Sequence, residues 1–145
     1  MMLIHILTFL IHFLIIGTNP VEGSSIKVEI NNLKNNQGQI CILLFNNSDG
    51  YPSDFDKAQS QIVIKDFEVP MEVLIDNIKE ENIVITVLHD ENMNGKIDKN
   101  IFGIPTEGYG ISKNPKPTTF GPPPFENAKV KMKESGNAIQ INMKY

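Results

Sequence analysis

The chain has 145 residues with 17 acids, 13 basic residues and a formal net charge of −4, and every basic residue is Lys. A mildly acidic chain without Arg lacks both the positive field and the bidentate fork that grip phosphate, so no nucleic-acid partner is expected. A single cysteine, Cys41, excludes an internal disulfide, leaving core packing and any bound ion to hold the fold.

Residues 2–16 are apolar apart from His5, Thr8 and His12 and carry no charged side chain. The run is shorter than the roughly 20 residues a membrane-spanning helix needs. It ends in Gly17-Thr18-Asn19-Pro20 and then the small-residue stretch Val21-Glu22-Gly23-Ser24-Ser25. This order predicts a signal peptide over residues 1–23, cut after Gly23, although the usual positive leader charge is missing. The apolar run has no Cys at its end, so no lipid anchor is expected. Residues 24–145 then form one periplasmic or secreted domain with no membrane span after cleavage.

The period of the remaining chain is two. Ile26, Val28 and Ile30 alternate with Lys27 and Glu29, the pattern of a strand with one buried face. Lys34–Gly38 is turn-rich, and Gln39–Phe45 is continuously apolar, as a central strand would be. Turn residues fill Asn46–Pro52, and Asp54–Gln59 reads as one short helical turn. Gln61–Phe67 and Met71–Ile75 are two further strands. Asn82–Leu88 is a second central one. Ala128, Val130 and Met132 alternate with lysines, Ser135-Gly136-Asn137 makes a turn, and Ile139, Ile141, Met143 and Tyr145 alternate again. About seven short strands predict an all-β, antiparallel β-sandwich, immunoglobulin-like or transthyretin-like.

The stretch Asp90–Phe125 is rich in Gly, Pro and Asn and reads as one long loop, a length usually tied to function. Phe102, Ile104, Tyr109, Ile111, Phe120 and Phe125 are expected to pin it onto the sandwich.

The sharpest local pattern opens that loop, in Asp90-Glu91-Asn92-Met93-Asn94-Gly95-Lys96-Ile97-Asp98. Side-chain oxygens recur at Asp90, Asn92, Asn94 and Asp98, Gly95 allows a sharp turn, and the Lys96 carbonyl adds an oxygen. Calcium takes six to eight hard oxygens, and alternate residues of a curled loop converge on such an ion. Ile101 occupies the place where an EF-hand carries a bidentate Glu, and flanking helices are absent, so a last ligand must come from elsewhere. Glu107 is the nearest candidate. The same residues also make a plain turn in which Asp and Asn cap backbone groups.

Other constellations are weaker. His89 is the only His after residue 23; beside Asp90 or Glu107 it suggests a small hydrolase, and otherwise a structural hydrogen-bonding residue. Cys41 reads as a small buried hydrophobe. Glu107-Gly108-Tyr109-Gly110 presents a carboxylate and a phenol on a flexible segment. Phe120–Phe125, with three prolines in a row, reads as a rigid chain return or a docking segment. A Ser nucleophile elbow, a paired-His zinc helix and a phosphate-binding Gly loop are all absent.

Three blocks together resemble the bacterial family catalogued as domain of unknown function 2141. They are His89–Asp98, Phe102-Gly103-Ile104-Pro105-Thr106-Glu107-Gly108-Tyr109-Gly110, and Gly121-Pro122-Pro123-Pro124-Phe125-Glu126-Asn127-Ala128. The family's Leu-Pro-x-Gly-x-Tyr-Ala approach to the central strand is replaced by Ile78-Lys79-Glu80-Glu81-Asn82-Ile83-Val84. The resemblance implies an exported β-sandwich and no particular activity. The leading expectation is therefore a non-enzymatic exported module with a calcium-type loop at 90–98 and a partner, a protein or an envelope component, met through residues 99–125. A hydrolase using His89 and a purely structural envelope protein are the alternatives.

Overall fold

A computed structural model describes residues 23–118, 121–133 and 138–145. The apolar segment 1–22, Phe120 and the expected turn at 135–137 lie outside them. Among the described residues eight strands run in chain order: β1 Ser24–Asn31, β2 Gln39–Phe45, β3 Ser60–Lys65, β4 Met71–Ile78, β5 Asn82–Asp90, β6 Gly108–Ile111, β7 Val130–Lys131 and β8 Ala138–Asn142. A 3-10 turn, Phe55–Lys57, and one helical turn, α1 Phe125–Ala128, complete the elements. No helix among the described residues is long and apolar enough to cross a membrane.

Two sheets face each other. One has the order β4-β1-β8, the other β3-β2-β5-β6, with β7 pairing the start of β5. The antiparallel sandwich read from the alternation is present, with one exception: β1 and β8 run parallel, Val28 opposite Ile139. Alternation specifies which face a residue occupies and not the direction of its neighbour, and a parallel pair needs a long crossover, which the body of the chain supplies. The two sheets are also laced together where Tyr109 and Lys144 exchange both backbone hydrogen bonds, at 2.9 and 2.8 Å.

The apolar runs of β2 and β5 are explained by two cores. Ile40, Ile42 and Leu44 of β2, with Ile83, Ile85 and Val87 of β5, face the other sheet. Their neighbours Cys41, Leu43, Phe45, Val84 and Leu88 face outward into a second cluster roofed by Tyr51, Phe55, Ile97, Tyr109 and Phe125. A strand buried on both faces carries no alternation. Tyr51 ties the roof together, edge-on to Phe45 at 6.0 Å and to Phe125 at 5.5 Å between ring centres.

The long loop is thus ordered by Tyr109, Ile111 and Phe125, as expected, but not by Phe102 and Ile104, which are 79% and 58% exposed. A tight hairpin at 99–105 turns them away from the sandwich. The loop also contains a strand that its Gly content concealed, β6. The expected strand over Ala128–Met132 is only two residues long, because Phe125–Ala128 takes one helical turn first.

Cys41 is fully buried. Desolvation, with smaller contributions from the Asp90 and Glu107 charges, pushes its thiol up to about 11. The thiolate is the reactive form, so iodoacetamide at pH 8 should leave folded Cys41 unmodified and label it fully in urea. Because the folded pKa lies above the unfolded value, this thiol's contribution to stability is intact below about pH 8.5 and declines as pH rises toward 11. Cys41→Ala should flatten that part of a pH–stability curve.

Candidate cation loop

Asp90 closes β5, opposite Gln39 at the start of β2. Its side chain alternates away from His89, and only 1% of the residue is exposed. One carboxylate oxygen accepts the Asn94 N–H at 3.1 Å. The other accepts the Gly95 N–H at 2.8 Å and the Gln39 side-chain amide at 2.7 Å. Asp90 is therefore the post around which the chain curls, and Gly95, at φ +75°, supplies the backbone angle the curl requires.

The next residues are gathered at the mouth of the curl. Asn92 donates its amide to Asp98 at 2.6 Å, and Asn94 donates to both Asp98 oxygens at 3.1 and 3.2 Å. The Asn oxygens face the backbone instead: Asn92 Oδ1 accepts the Asn94 N–H at 3.0 Å, and Asn94 Oδ1 accepts the Lys96 N–H at 3.0 Å. The Lys96 side chain is exposed.

Glu107 arrives from the far end of the loop. The β5–β6 pairing sets Gly108 against His89, which delivers the preceding Glu107 to the loop base. There it is 6% exposed. Its two oxygens accept the N–H groups of Glu91 at 3.1 Å and Asp98 at 3.0 Å. The Asp98 carbonyl in turn accepts the Thr106 N–H at 2.9 Å. Glu107 thus clamps both ends of the segment 91–98, a role that its spacing alone does not disclose.

The electrostatics of this corner are one-sided. Among the described residues no Lys lies within ion-pair distance of Asp90, Asp98 or Glu107; the nearest such contact is Lys34 with Glu91, at 4.0 Å. Two buried carboxylates are answered by N–H dipoles alone. A carboxylate has about four acceptor sites; N–H groups fill three on Asp90 and two on Glu107. Among the described residues no three His, Cys, Asp or Glu side chains are grouped closely enough to hold an ion by themselves. An ion here would need Asn oxygens and a backbone carbonyl as well, which a rotation of the Asn92 and Asn94 amides would provide.

His89 is not joined to Asp90 or Glu107. It faces the inter-sheet core, fully buried, edge-on to Phe67 and Tyr145. Its Nε2 lies 2.8 Å from the Gln37 carbonyl and its Nδ1 2.7 Å from the Tyr145 hydroxyl. A carbonyl only accepts, so the proton sits on Nε2 and Nδ1 accepts from Tyr145. The same hydroxyl accepts the Lys34 N–H at 3.0 Å. Both ring nitrogens are occupied in holding the chain end to the 34–37 turn.

Gln39, Gln37, Lys34 and Tyr145 are absent from the sequence-based site. Each lies more than 50 positions from its partner in the chain, and no local pattern marks it.

No curated protein and no solved structure matches this chain. The order of the acidic loop, the Glu107 block and the Gly-Pro-Pro-Pro return is that of a known bacterial family, and the chain belongs to it: the family described as an uncharacterised protein conserved in bacteria (DUF2141), matched over residues 28–140.

Proposed function

We propose that this chain is an exported, non-enzymatic sandwich module whose loop Asp90–Asp98 is completed by a calcium-type cation. The observation that carries this reading is the pair of buried carboxylates, Asp90 and Glu107, with no cationic side chain within ion-pair distance among the described residues. Buried charge is costly unless it is compensated. A divalent ion bound by Asp90, Asn92, Asn94, the Lys96 carbonyl, Asp98 and Glu107 would supply that compensation. The loop 99–125 would then meet a protein or envelope component. Export rests on the apolar segment before Ser24 and on the small residues around Gly23.

A second reading has its own support. The Asn92 and Asn94 oxygens already cap backbone N–H groups, as a plain turn in a purely structural envelope protein would have them. His89, with both nitrogens occupied and no carboxylate partner, lends no support to a hydrolase.

Thermal melting in EDTA, calcium and magnesium separates the first two readings. With calcium at ten times its Kd, stability should rise by about 1.4 kcal/mol, several degrees in a domain of this size. Extracellular sites of this kind bind at about 10⁻⁴–10⁻³ M, so millimolar calcium is the range to use. Asp98→Asn keeps one oxygen, which can accept the Asn92 and Asn94 amides as Oδ2 does, but loses the charge. It should melt near wild type in EDTA and lose the calcium increment. No increment in the wild type at any calcium level would leave the plain turn.

A further inference from the structure

The loop 99–105 carries a feature that needs no ion. Lys99 and Pro105 are bridged across a tight hairpin. Within it the Asn100 N–H bonds the Ile104 carbonyl and the Gly103 N–H bonds the Asn100 carbonyl, both at 2.9 Å. The Asn100 side-chain oxygen accepts the N–H groups of Phe102 at 2.9 Å and Ile104 at 3.1 Å. The two residues at the turn's apex, where Gly, Asn, Asp and Ser are usual, are Ile101 and Phe102. They are 93% and 79% exposed, and Ile104 is 58% exposed beside them. Single exposed apolar residues are ordinary, but three on one built turn are not.

We propose that this tip is a lipid-contact site, inserting Ile101, Phe102 and Ile104 at the headgroup–acyl boundary of a bilayer. Three observations favour lipid over another occupant. The three apolar side chains protrude from one turn, 58% to 93% exposed, rather than lining a groove that would take a peptide. Four of its N–H groups are already bonded within the hairpin, which is what an apolar phase demands of backbone and what strand addition by a partner would not use. Finally, Lys99 stands exposed at its base and Lys96 is exposed three residues earlier, and neither pairs with an acid among the described residues. Their stems can follow the apolar side chains inward while their amines remain among the headgroups.

The chain contains no Trp, so Phe102→Trp in the full chain creates a single reporter at the apex. Vesicles of phosphatidylcholine and phosphatidylglycerol should shift its emission to shorter wavelength. Lipids brominated along the acyl chain should quench it, in EDTA and in calcium alike. Adding Ile101→Ser should weaken the partition roughly tenfold, and Lys99→Gln about fivefold on anionic vesicles. If Phe102→Trp alters the melt, Ile101→Trp takes its place. A chain that sediments with vesicles while its apical Trp stays in water would overturn the proposal, because another part of the chain would then be what binds. A blue shift that grows with protein concentration in the absence of lipid would overturn it in favour of a second copy of the chain.

Discussion

Replacing Gly38 by Ala should destabilise the domain by about 3–4 kcal/mol and lower its melting temperature by about 15 °C. Gly38 sits at φ +76°, where a side chain costs about 1–2 kcal/mol. The larger cost is contact. A Cβ added there would lie 2.2 Å from the Asp90 carbonyl oxygen and 2.6 Å from the Glu91 Cα. These are backbone atoms at the end of a central strand and cannot rotate aside as a side-chain tip could. The displacement would also part Gln39 from Asp90. Gly95→Ala is the control: its φ is nearly the same, and nothing lies within 4 Å of the added Cβ, so a loss of only about 1 kcal/mol is expected. Urea denaturation of both variants measures the difference. Equal, small losses would mean that the 34–38 turn is free to move off the acidic loop.

How far the sequence reveals this molecule depends on the range of the interaction concerned. The buried strands β2 and β5 are legible because double-sided burial leaves an unbroken apolar run. The curl at Asp90–Gly95 is legible because its oxygens and glycine are neighbours in the chain. β6 is not, since Gly108 and Gly110 erase its pattern. Those glycines are themselves a sign of close backbone approach: a Cβ on Gly108 would meet the Tyr145 ring at 2.5 Å, and one on Gly110 would meet Ile141 at 2.6 Å. Phe102 and Ile104 mislead for the opposite reason. Apolar residues are expected inside, and only the hydrogen bonds of Asn100 reveal that the chain turns outward. Glu107 is visible as a nearby acid, but its grip on the Glu91 and Asp98 N–H groups depends on the β5–β6 register.

Asp90→Ala should cost about 2–3 kcal/mol in EDTA, before any ion is considered. The carboxylate accepts three hydrogen bonds, and its donors differ in what they can find instead. The Asn94 and Gly95 N–H groups lie at an exposed turn and would gain water. The Gln39 amide, on a residue 7% exposed, would not. Calcium then turns the same variant into a second measurement. If the loop holds an ion, the gap between wild type and variant should widen by about 1.4 kcal/mol at ten times the wild-type Kd, because only the wild type gains. A gap present in EDTA and unchanged by calcium would make Asp90 a hydrogen-bonding post in an ordinary turn, with the two buried carboxylates held by N–H groups alone. No gap in EDTA would contradict the hydrogen-bond account itself. The loop would then owe its shape to Glu107, whose bonds to Glu91 and Asp98 survive the substitution, and Glu107→Gln should produce the loss that Asp90→Ala did not.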